Sequence, residues 1–167
     1  MILISALTRD DVVANGFLFF IAGYETTAHT MAFTFYNLAL NQEAQDKARE
    51  EINQVMENRE LVDYEAVNKM TYLEMCINET LRMFTKEERE KRDPYDWLPF
   101  GAGPRNCIGM RLALMELKVG LANVLMKYRI VTGPDTDIPL KIMKFKQFPT
   151  PENGIKLRAE LLQPGSD

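Results

Sequence analysis

Histidine and cysteine are scarce in this chain: a single histidine, His29, and two cysteines, Cys76 and Cys107, among 167 residues. A structural zinc site takes about four Cys or His ligands at short spacing, and three candidates scattered over the chain do not supply one. A single possible cysteine pair makes no disulfide framework, so a reducing, intracellular compartment is the plainer reading. An excess of one charge is missing as well. Twenty Lys and Arg stand against 24 Asp and Glu, and the resulting net charge of -4 gives no pointer to nucleic acid. No leader is visible, because residues 1–7 are apolar but lack a basic start and a cleavage pattern. The other apolar run, 12–24, is interrupted by Asn15 and is shorter than the roughly 20 residues that span a bilayer. It is expected as a buried core helix, in a chain that reads as soluble and without a membrane anchor.

What is present is a balance of 46% apolar and 26% charged residues, enough to build a core. Thr8 with Asp11 resembles a capping box, Asp replacing Glu, and a long apolar helix follows to about Leu40. Asn41 can cap the next helix, where Ala44, Ala48, Ile52 and Val55 recur at helical spacing. Asp63 opens a short helical piece. Thr71 with Glu74 makes a second capping box, before a face of Leu73, Ile77, Leu81 and Phe84. Residues 85–91 are almost wholly polar, and Pro94, Pro99, Gly101, Gly103 and Pro104 force irregular backbone.

A clean amphipathic helix then carries Met110, Ala113, Leu114, Leu117, Leu121, Val124, Leu125 and Tyr128 on one face, and Gly133-Pro134 ends it. Pro151-Glu152-Asn153-Gly154 reads as a turn, with Ile155 and Leu157 alternating with Lys156 and Arg158 in a hairpin. The expected architecture is a mostly α single domain over 1–167 with a small C-terminal β-hairpin.

The stretch with chemistry is Phe100-Gly101-Ala102-Gly103-Pro104-Arg105-Asn106-Cys107-Ile108-Gly109. Cys107 lies in a Gly-rich loop just before a strong helix. Free N–H groups and the positive dipole end at that terminus favour a thiolate. Gly103 and Gly109 leave room for a bulky group near the backbone. Arg105 suits a carboxylate or phosphate, and Phe100 offers an apolar wall. Other readings compete. A lone Cys is commonly a small buried hydrophobe. A Gly-rich loop can hold a phosphate, although this one lacks the third Gly of a dinucleotide site and the Lys and Ser/Thr of a phosphate loop. A Cys nucleophile would have only His29 as its base.

The loop resembles F-x-x-G-x-R-x-C-x-G, the haem-binding signature of the cytochrome P450 family, whose fixed positions are filled by Phe100, Gly103, Arg105, Cys107 and Gly109. The resemblance implies a haem whose iron takes the Cys107 thiolate as axial ligand, with Arg105 on a propionate and Phe100 shielding the sulfur. Ala22-Gly23-Tyr24-Glu25-Thr26-Thr27 is similar to the family's oxygen-side helix segment. That similarity implies close approach of the ligand at Ala22 and Gly23, and proton delivery by Glu25 and Thr26. Glu79-Thr80-Leu81-Arg82 resembles the family's E-x-x-R pair. His29, three residues after Thr26, invites assignment as a second iron ligand, but the family leaves that side open and a satisfied core histidine is the plainer role.

The resemblance implies a monooxygenase that inserts one atom of O2 into a lipophilic small molecule, with an NADPH-dependent reductase as electron donor. Lys118 and Lys127 are candidates for docking that reductase. For full-length members it implies the cytoplasmic face of the endoplasmic reticulum membrane. The wording around the motifs looks most like animal microsomal members acting on steroids and xenobiotics. Only residues 83–99 separate Arg82 from Phe100, where the family carries a longer stretch with a second arginine. An internal deletion of roughly fifty residues after Phe84 is therefore expected, dividing the chain into 7–84 and 85–161, and Arg89 and Arg92 are weak candidates to replace the lost arginine. The resemblance covers about the last third of a family member. The alternative expectation is a truncated or spliced fragment that cannot retain haem and does no catalysis.

Overall fold

The computed structural model describes residues 7–83, 98–143 and 149–163. Three of its helices start where short polar side chains can accept from the first-turn N–H groups. Helix α1 spans Arg9–Leu40, and the Thr8 hydroxyl accepts from Asp11 N at 3.2 Å while the Asp11 carboxylate accepts from Thr8 N at 2.9 Å. Helix α2 spans Gln42–Met56, with the Asn41 side chain accepting from Ala44 N at 3.1 Å. Helix α3 spans Tyr64–Lys69 behind Asp63, which accepts from Ala66 N at 2.8 Å.

Helix α4, Thr71–Met83, departs from the expected local box. Its N-terminus is capped from another element: Glu51 of α2 accepts from the Thr71 hydroxyl at 3.0 Å, Tyr72 N at 2.7 Å and Leu73 N at 2.9 Å. A carboxylate at a helix N-terminus meets both orphan donors and the positive dipole end. Glu74, freed from the cap, pairs instead with Lys118 Nζ at 2.5 Å. Lys118 is 4% exposed and also donates to Val67 O, so it is no surface cation for docking a partner. Phe84, the last residue of the expected apolar face, and Arg89 and Arg92 lie outside the described residues.

Helix α5 spans Met110–Leu125. Its buried Leu117, Leu121 and Leu125 recur every fourth residue, and that stripe meets Ile52 of α2 and Leu73 and Ile77 of α4 in one core. Helix α1 crosses α5 at Gly120, where an added Cβ would come within 2.5 Å of Met31 Cε. The missing side chain lets the two helices approach.

The apolar spacing that suggested helix to Tyr128 continues past the real end of α5. Tyr128 instead begins strand β1, Tyr128–Thr132. Strand β2, Leu157–Leu161, pairs antiparallel with it, Tyr128 opposite Leu161 and Thr132 opposite Leu157. The turn before β2 is present, with Gly154 at φ +71°, but the expected local hairpin is corrected to a two-stranded sheet whose partner comes from the end of α5. Two buried polar side chains of α2 serve the backbone at this junction. Gln45 accepts from Ile130 N at 2.8 Å and donates to Ile130 O at 2.7 Å, and Arg49 donates to Leu125 O at 3.0 Å and Tyr128 O at 3.3 Å. Stranding those groups would cost about 1–3 kcal/mol each.

One half of α1 contradicts expectation. Its buried residues begin at Phe33, while Phe17, Leu18, Phe19, Phe20 and Tyr24 are 61–69% exposed. Residues 12–24 are apolar around the whole helix rather than along a stripe, and among the described residues no element covers them. No helix among the described residues is long and apolar enough to cross a membrane.

Candidate cofactor site

Gly101 and Gly103 adopt φ +72° and +70°, a region that side chains with a Cβ avoid. These two glycines let the chain turn back on itself, and the loop closes where Cys107 N donates to Phe100 O at 2.7 Å. Between them lies one turn of 3-10 helix, Gly103–Arg105, with Pro104 in its first turn, where a missing N–H costs nothing. Gly109 forms the N-cap of α5 and offers no side-chain acceptor to the first-turn N–H groups. A Cβ on Gly109 would stand 3.9 Å from Cys107 Sγ, so the sulfur lies against that uncapped end.

Cys107 and Arg105 are exposed, Phe100 is half-buried, and nothing stands within 4 Å of the space above Gly103. Among the described residues Arg105 makes no ion pair and no hydrogen bond. The loop thus presents one sulfur ligand, a guanidinium and the positive end of a helix beside open space. Such a set fits a large group carrying carboxylates and a metal that brings its other ligands with it. Among the described residues there is no cluster of three or more His, Cys, Asp or Glu side chains to hold a bare ion.

The second motif lies in the exposed half of α1. Nothing stands within 4 Å of a Cβ added to Gly23, and Ala22 is exposed. The Thr26 hydroxyl donates to Ala22 O at 2.6 Å, and Thr30 and Thr34 repeat the pattern onto Thr26 O and Thr30 O. Glu25 is half-buried, and its carbonyl is 2.8 Å from His29 Nδ1. His29 therefore spends one ring nitrogen on the helix backbone. Residues 22–26 precede Met31 on α1 and residues 100–109 precede α5, and among the described residues no hydrogen bond or ion pair joins the two motifs.

Glu79 and Arg82 form the expected pair. Arg82 Nε donates to Glu79 Oε2 at 2.7 Å, a second bond joins Nη2 to Oε1, and the carboxylate raises the guanidinium's pKa further. The side chains are 49% and 37% exposed, so the pair stands at the surface of this chain. Sequence reasoning missed a cavity of about 300 Å3 beside His29, walled by α1 and the 150–155 turn. No local pattern announces it, because its two walls lie far apart in sequence.

The family profile described as Cytochrome P450 matches residues 2–86 and 83–159. Cytochrome P450 3A27 of Oncorhynchus mykiss is 32% identical over 206 residues, covering 92% of this chain and 40% of the relative. Probable cytochrome P450 6a23 of Drosophila melanogaster is 34% identical, covering 93% of this chain and 42% of the relative. Cytochrome P450 3A13 of Mus musculus is 31% identical, covering 92% and 41%. The chain spans about 40% of the length of the curated relatives it matches. In the first comparison 92% of 167 residues is about 154, so about fifty of the 206 aligned positions have no counterpart here. The two profile segments meet at residues 83–86, where the deletion was expected.

Proposed function

The chain belongs to the cytochrome P450 family, and on that premise we propose that Cys107 is the axial thiolate ligand of a haem iron in an oxygen-inserting enzyme. The observation that carries this reading is the closed loop holding Cys107 Sγ at the uncapped N-terminus of α5, with Arg105 exposed two residues earlier in the chain. When bound, the haem would supply the redox chemistry, and the Cys107 thiolate would donate electron density to its iron. The chain's own residues hold and protect it. Arg105 would pair with a propionate, Phe100 would shield the sulfur from water, and Gly103 and Gly109 would leave room for the group.

On the oxygen side, Ala22 and Gly23 keep α1 low where a ligand approaches. Glu25 holds and passes protons. The Thr26 hydroxyl now gives its proton to Ala22 O, which leaves its lone pairs to accept; to donate elsewhere it must release that carbonyl. The substrate class is a lipophilic small molecule taken together with O2, and electrons come from an NADPH-dependent reductase. For full-length members of the family the location is the cytoplasmic face of the endoplasmic reticulum membrane.

A second reading has its own support. The exposed apolar half of α1 and the exposed Cys107 favour a chain that cannot retain haem, since a metal site needs its supporting shell. The reduced, carbon-monoxide-bound absorption spectrum after expression with added haem separates the two, for wild type and Cys107→Ala. A strongly red-shifted Soret band in the wild type alone is expected. Absence of bound haem, or a band indifferent to the substitution, supports the second reading.

A further inference from the structure

Strand β2 belongs to a two-stranded sheet, and among the described residues only one of its edges is paired. Leu162 N donates to Lys127 O at 2.9 Å, which sets the alternation of the ladder. Arg158 and Glu160 therefore turn their N–H and C=O groups toward β1, and Leu157, Ala159 and Leu161 turn theirs outward. On the far edge of β1 the outward groups are met from α2. Gln45 bonds both the N–H and the C=O of Ile130, and Arg49 donates to Tyr128 O. Among the described residues nothing does the same for β2. Arg158, Ala159, Glu160 and Leu161 are exposed, Leu161 by 71%. An open edge of this kind is a template for another strand.

We propose that this edge pairs with β2 of a second copy, antiparallel about a two-fold axis at Ala159. The strand reads Leu-Arg-Ala-Glu-Leu, which is self-complementary in that register. Arg158 of each copy stands opposite Glu160 of the other, and Leu157 opposite Leu161. The outward N–H and C=O groups of Leu157, Ala159 and Leu161 bond across the axis. Arg158 and Glu160 then fall at the positions without cross-strand hydrogen bonds, where side chains come closest. Neither side chain has an ion pair or hydrogen bond within the chain, so both are available to a partner. A parallel pairing in register sets arginine on arginine and glutamate on glutamate, which repels. Five residues a side is far less than a standard interface supplies, so the dimer is weak and concentration-dependent. The pairing needs neither haem nor any atom of the cysteine loop.

Amide hydrogen exchange followed by NMR at increasing protein concentration reads this edge residue by residue, apart from any association through α1. The N–H groups of Leu157, Ala159 and Leu161 should exchange more slowly as concentration rises. Those of Arg158 and Glu160, bonded to β1 in either state, should not change. Arg158→Glu puts a like charge opposite Glu160 at both ends of the pairing. It should raise the concentration at which the three amides become protected by roughly two- to thirtyfold, the factor two cross-strand charge pairs supply. Arg158→Glu combined with Glu160→Arg restores opposite charges in the same register and should return the wild-type concentration. Exchange independent of concentration would overturn the proposal, whether the edge stays open or a segment of the same chain covers it. So would protection that ignores Arg158→Glu, or that the double substitution does not restore. Should either variant fail to fold, the three wild-type amides, compared with those of Arg158 and Glu160, decide alone.

Discussion

Cys76 and Cys107 carry the same side chain in opposite surroundings. Cys76 lies on α4, half-buried, and burial first and the Glu51 carboxylate second push its thiol up to about 11. Cys107 is exposed in its loop. An alkylating reagent reacts with thiolate, so iodoacetamide at pH 8 should label Cys107 in the folded chain and spare Cys76 until urea opens the core. Peptide mapping by mass spectrometry reads this directly. The sign of the stability effect is fixed too. Above the ordinary thiol value of 9.0 the unfolded chain releases the Cys76 proton, while the folded chain keeps it to about 11. Stability should therefore fall as pH rises across that window, and Cys76→Ala should remove this part of the fall. Native labelling of Cys76 at pH 8 would mean that α4 is not packed as described. At this scale the sequence was informative for Cys107, whose glycines, arginine and helix start are all local. It was uninformative for Lys118, whose burial depends on Glu74 and Val67 arriving from elsewhere.

Elements divide the same way between local and distant causes. The starts of α1, α2 and α3 were legible because Thr8, Asn41 and Asp63 reach only three residues ahead. The start of α4 was misread because Glu51, twenty residues earlier, outcompetes the local Glu74. Tyr128 keeps the helical apolar spacing yet lies in β1, because Gln45 and β2 supply strand partners for that stretch. Gly23 offers a test that separates an element's stability from its use. It lies inside α1 with nothing within 4 Å of an added Cβ, so Gly23→Ala should favour the helix by about 0.5–1 kcal/mol. Amide exchange around residue 23 should slow by roughly two- to fivefold accordingly. If Gly23 is where a ligand approaches, the same variant should weaken the red-shifted carbon-monoxide spectrum while its helix is firmer. A variant that leaves both exchange and spectrum unchanged would remove Gly23 from the site.

At the scale of the molecule, the later part of α1 packs with α2, α4 and α5 in one core, and among the described residues nothing covers the earlier part of α1. That imbalance was hidden from sequence reading, because an apolar run predicts burial without saying what supplies the cover. Phe17, Leu18, Phe19, Phe20, Ile21 and Tyr24 form a contiguous apolar surface, with the Phe20 and Tyr24 rings stacked at 6.0 Å. A surface of that kind drives association when no partner covers it. The haem-free chain should therefore sediment as concentration-dependent oligomers, and Phe17→Ser with Phe20→Ser should move it toward monomer. Because these side chains bury little in the monomer, the double substitution should leave the unfolding midpoint in dilute solution within the half kcal/mol or so expected of surface changes. Sedimentation velocity and urea unfolding on the same samples decide it. A loss of several kcal/mol would place both rings in a core, and a monomeric wild type would show that exposure of this helix carries no association.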